Sequence, residues 1–81
     1  MRNQFSRAQV IARHTGKPLG SVSELSVAGM RLWNGTDDSA FPNANRFVPA
    51  GWSLVVSIDD PTAVYCVSQQ EANEAGLANS S

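Results

Sequence analysis

The stretch IARHTGKPLGSVSEL, residues 11–25, decides how the rest of the chain is read. Alanine follows isoleucine, Gly16 comes four residues after Ala12, and Val22 and Leu25 stand three apart behind Ser21. Just upstream, Ser6 and Gln9 have the S-x-x-Q spacing of a capping box, and Phe5 precedes the cap where it can staple against Val10. Together these signals predict a helix from Arg7 to about Thr15, with Val10, Ile11 and His14 on one side and Gly16 as a left-handed C-cap. Pro18 blocks simple continuation. Ser21 and Glu24 then repeat the capping-box spacing, which predicts a second short helix over residues 22–28, closed by Gly29. The alternative for that second segment is a broken strand, because Val22, Leu25, Val27 and Met30 alternate in part with serines.

Beyond Gly29 the pattern turns to β. Residues 30–33 are a short apolar run ending in the turn dipeptide Asn34-Gly35, and TDDSAFPNAN is a long polar loop. From Trp52 to Ile58 the alternation is regular, with Trp52, Leu54, Val56 and Ile58 on the face expected to be buried and Ser53, Val55 and Ser57 on the other. Asp59-Asp60-Pro61-Thr62 suits a tight connection to residues 63–67, the antiparallel partner. The tail should add a helical turn over residues 69–75, stopped by Gly76. The expected fold class is α+β: an N-terminal pair of short helices, then a β-strand, a long loop and an antiparallel hairpin, winged-helix-like in outline. One domain spans residues 1–81, with the arm 1–5 and the tail 69–81 expected to be held by a partner.

Eighty-one residues support one modest core, and no apolar run approaches the 18 or so residues that a membrane-crossing helix needs. The polar start MRNQFSRAQ lacks the apolar region of a secretory signal, and the lone Cys66 cannot close an internal disulfide, so a cytoplasmic location is expected. The formal net charge of -1 conceals an asymmetry. Residues 1–31 hold Arg2, Arg7, Arg13, Lys17 and Arg31 against Glu24 alone, whereas residues 32–81 hold Arg46 against six carboxylates. A basic front and an acidic back can turn one side of the molecule toward a polyanion.

Ile11 and Ala12, Gly16, and Val22 with Leu25 fill the roles of first-helix contact, turn and second-helix lock in a helix-turn-helix. The register Ala12, Gly16, Ser21-Val22-Ser23 resembles that of the lactose-repressor class of bacterial regulators. Thr15-Gly16-Lys17-Pro18 is similar to the turn of winged-helix repressors of the IclR type. The resemblance covers about 17 residues and implies binding of duplex DNA by a dimer or larger assembly. It places Ser21 and Ser23 beside the DNA backbone, and Arg2, Arg7, Arg13 and Lys17 supply phosphate contacts. Lys17 departs from the pattern, standing where those families bury an aliphatic residue. The base-facing positions fall on Leu19, Gly20 and Glu24, which provide no bidentate Arg, Asn or Gln.

Nothing in the spacing brings His14 to Cys66, and one Cys and one His with the pairs Asp37-Asp38 and Asp59-Asp60 make no metal-ligand set. No catalytic residue, metal, cofactor, small-molecule substrate or membrane partner is expected. Two functions remain open: a small DNA-binding regulator, of a phage or other mobile element, and a non-enzymatic structural or interaction protein. The second class includes a small virion component or an inhibitor of a host protein. Low charge, ten serines and the FPNAN-type loop suit a chain held by neighbours.

Overall fold

A computed structural model describes residues 3–33, 41–59 and 63–77, and among them the N-terminal helix pair is replaced by strands. The order is β1 (Gln4–Phe5), β2 (Ala8–Ile11), β3 (Pro18–Val22), β4 (Leu25–Ser26), β5 (Met30–Leu32), a 3-10 turn (Ala44–Phe47), β6 (Trp52–Ser57), β7 (Val64–Ser68) and α1 (Gln69–Glu74). Five strands form one antiparallel sheet in the order β3-β2-β7-β6-β5, and β1 pairs with β4 in a small second sheet.

The expected first helix is therefore β2 and the turn after it. The capping box at Ser6 and Gln9 is not used as one, because the Ser6 N–H donates instead to the Glu71 carboxylate at 2.8 Å. Ala8–Ile11 is hydrogen-bonded on both edges, to β3 and to β7, and each backbone polar group paired across a ladder is one that a helix no longer needs to satisfy. Gly16 has the positive φ, 76°, expected of a C-cap, but it uses it in the turn of the β2–β3 hairpin. There Ala12 N–H donates to Lys17 C=O and Gly16 N–H to Ala12 C=O, both at 2.9 Å. The second expected helix is likewise absent. Val22 ends β3, Leu25 belongs to β4, and Gly29, φ 78°, turns the chain into β5, as the broken-strand alternative requires. The winged-helix outline falls with the helix pair.

The C-terminal hairpin is present: β6 and β7 pair antiparallel from Trp52↔Ser68 to Val56↔Val64. The short strand at residues 30–33 is β5, and the tail forms α1. Ser68 caps that helix, its Oγ accepting the Glu71 N–H at 3.1 Å, and Gly76, φ 81°, follows its end. Asn34-Gly35, Asp37-Asp38, most of the long loop's first half, the turn at Asp60-Pro61-Thr62 and Arg2 lie outside the described residues.

The sheet is buried on both faces, not on one. On the first face Ile11, Leu54, Val56, Val64 and Cys66 pack under Phe41 and Ala44, with Trp33, Val48 and Trp52 at the margin. On the second face Ala8, Met30, Val55 and Val67 pack under Phe5 and under Ala72 and Ala75. Thus Val55, expected outside, is fully buried, while Ile58 is 58% exposed beyond the strand's end. Gln4–Phe5 and residues 69–77 are held within the chain itself, through Phe5, Ala72 and Ala75. The Cα radius of gyration, 11.3 Å, is that of a chain of this length folded as one body.

Candidate functional site

Side-chain parity in the sheet sorts the charged residues. Gln9 and Ile11 lie opposite Cys66 and Val64 and so share their face, the first. Continuing the same alternation puts Arg7 and Arg13 on that side too. Arg31 is opposite Val56, again on the first face, where its Nη1 donates to the Leu32 carbonyl at 3.2 Å. Arg46 rides on the 3-10 turn that covers this face, 5.8 Å from the centre of the Phe47 ring. The Arg13 guanidinium is 5.1 Å from the centre of the Phe41 ring, close enough for a cation–π contact. Lys17 stands exposed in the β2–β3 turn. That turn is clasped to the 3-10 segment: Asn43 Nδ2 donates to the His14 carbonyl, and Gly16 lies against Asn43 and Phe47.

The acidic groups among the described residues fall elsewhere. Glu71 and Glu74 are on α1, which covers the second face. Glu71 Oε2 also accepts from Ser6 Oγ at 3.1 Å, tying the helix to the end of β1. Glu24 leads into β4, whose Leu25 packs on the same side, and Asp59 follows β6 beside Gly29. The front-to-back asymmetry of the sequence has become, among the described residues, an asymmetry between the two sides of one sheet.

Among the described residues, Phe41 and Ala44 cover the middle and one end of the first face, and Trp52 and Ser68, paired across β6 and β7, are half-buried at the other end. The β2–β7 register carried two residues on brings Arg7 beside Ser68, and the β2–β3 register brings Ser23 beside Arg7. A hollow of about 510 Å³ lies here, lined by Arg7, Gln9, Ser21, Ser23 and Trp52. Round the same tryptophan a second hollow, of about 310 Å³, is lined by Trp33, Asn45, Ser53, Gln69 and Asn73 with apolar neighbours and no charged side chain.

The residues expected to touch DNA are thus divided. Arg7, Ser21 and Ser23 line the open hollow, whereas Arg13 and Lys17 stand at the opposite end of β2, joined by Arg46. Sequence reasoning missed Gln9 and Trp52 as site residues. Both carry the period-two signal: Gln9 is two residues from Arg7 and Ile11, and Trp52 opens the alternating strand. Arg46 was counted with the acidic half, and only the return of residues 41–48 over the sheet places it among the basic ones.

Cys66 sits fully buried in the central strand, and burial pushes its thiol up to about 11. His14 is exposed in the turn beyond β2, so the one thiol and the one imidazole are not brought together. No group of three His, Cys, Asp or Glu side chains suited to a metal occurs among the described residues. Among the same residues, no helix is long and apolar enough to cross a membrane. No family model, no curated protein and no solved structure matches the chain.

Proposed function

We propose that this chain is a non-enzymatic nucleic-acid-binding module that meets its ligand with the first face of the five-stranded sheet. The observation that carries the reading is the segregation of charge among the described residues. Arg7, Arg13, Arg31 and Arg46 lie on or against that face with Lys17 at its margin, while the helix on the opposite face carries Glu71 and Glu74. The described residues so arranged favour approach of a polyanion from one side over the other, even at a net charge of -1. The α-helix among the described residues, α1, has six residues and lies on the acidic side, so the reading invokes no recognition helix.

Binding of labelled single-stranded and duplex DNA, measured at low and at physiological salt, tests the proposal. Arg7→Ala and Arg46→Ala should each weaken binding severalfold regardless of sequence and reduce the salt slope by about one. Glu74→Gln on the far face should leave affinity the same or slightly higher. Absence of any salt-dependent binding at micromolar protein sinks the proposal.

A second reading, a structural or interaction protein, is favoured by a different observation. Strand β3 is the uncharged outer strand PLGSV, exposed along nearly its whole length, with Leu19 72% exposed. Such an edge suits pairing with another strand.

A further inference from the structure

Resting on the basic-face reading, we propose that the open hollow at Trp52 takes an unpaired nucleobase, and that the module therefore selects single strands over duplexes. The hollow has the size of a small-ligand site and a chemistry suited to a nucleotide with its base exposed. Trp52 offers an aromatic surface for stacking, Arg7 a cation for the adjoining phosphate, and Gln9, Ser21 and Ser23 donors and acceptors for base edge and sugar. Among the described residues no carboxylate lines it. Gln9, Ser21 and Trp52 belong to strands of one sheet face, with Arg7 and Ser23 flanking β2 and β3, so the site takes a ligand laid across strands. A duplex keeps its bases stacked inside and presents only phosphates to such a surface, leaving Trp52 without a partner. A single strand satisfies both parts of the site. Its phosphates follow the basic residues from Arg7 toward Arg13 and Lys17, and one base turns down onto the indole.

The same chemistry is found in a free mononucleotide, so the experiment has three ligands. The full chain with Trp33→Phe keeps Trp52 as its one tryptophan. Its emission is followed on titration with an oligothymidylate of about ten nucleotides, a duplex of equal length and thymidine monophosphate. We expect saturable quenching by the oligothymidylate, at least tenfold tighter binding of it than of the duplex, and only weak binding of the mononucleotide. Trp52→Ala should lose about tenfold or more in single-strand affinity with duplex affinity unchanged, and Trp52→Phe should keep most of it. The thermal transition of each variant is checked first, and should Trp52→Ala fail to fold, quenching of the parent and the Trp52→Phe affinity still decide. Equal binding of both DNA forms with unchanged Trp52 emission overturns the inference but leaves the basic-face reading standing. Mononucleotide bound as tightly as the strand overturns the inference in favour of a nucleotide pocket. Loss of all three overturns both.

Discussion

Gly16 shows how one residue can satisfy two opposed readings. Its left-handed backbone fits a helix C-cap as well as a hairpin turn, and only its surroundings distinguish them. A Cβ at this position would fall onto the Asn43 carbonyl oxygen and close against the Phe47 ring. Gly16→Ala therefore combines positive-φ strain with a backbone collision, and it should destabilise the fold by roughly 2 kcal/mol or more in denaturant melts. A loss below about 0.5 kcal/mol would show that the turn does not rest on the 3-10 segment. Cys66 makes a separate prediction. Its thiol is held protonated by burial, from an ordinary 9.0 up to about 11, so between those values the unfolded chain has released a proton that the folded chain still holds. Stability must then fall as pH rises through that window and be unaffected below it, by up to about 3 kcal/mol. Cys66→Ala should abolish this alkaline slope while lowering stability at neutral pH. An identical slope in the variant assigns it to other groups.

At the scale of elements, legibility in the sequence followed the distance to the partner. Strands β6 and β7 were readable because their alternation is regular and only a short proline-bearing segment lies between them in sequence, so pattern and pairing are both local. Strand β2 was not. It has four residues, and its Gln9 pairs with Cys66, 57 positions away, which no window around residue 9 contains. The S-x-x-E/Q spacing occurs at Ser6, at Ser21 and at Ser68, and only Ser68 uses it. A capping box stabilises a helix that other contacts have already placed, and the first two serines lie where strand pairing claims the backbone. Of the site, the basic residues of the first third were legible as charge, but their gathering on one face depends on β parity that a helical reading does not have. The exposed edge of β3 carries its own prediction. Replacing Leu19 with Lys puts a charge on an otherwise uncharged edge and should shift any dimer toward monomer in light scattering after size exclusion, without loss of fold. If both proteins have the same mass at every concentration, β3 is not the contact.

At the scale of the molecule, two layers on a sheet give it two electrostatic sides, and both proposals follow from which layer stops short. The layer on the second face, with Phe5 and α1, reaches across the strands that the acidic side covers. Among the described residues, the layer on the first face, with Phe41 and Ala44, leaves Trp52 half-buried at its margin beside a hollow. On the proposed reading the base is taken at one end of that side, while the phosphates run along it toward Arg13 and Lys17.

The place of β7 in the sheet has a consequence for synthesis. It is the middle strand, yet it is the last of the five in chain order, and it alone joins the pair β2–β3 to the pair β5–β6. A nascent chain that has reached residue 63 holds two separate ladders with no strand in common, and the helix that covers Phe5 and Val67 is still to come. Closure of the sheet therefore waits on β7, and the pairing of Gln9 with Cys66 is a non-local contact of the kind that slows folding.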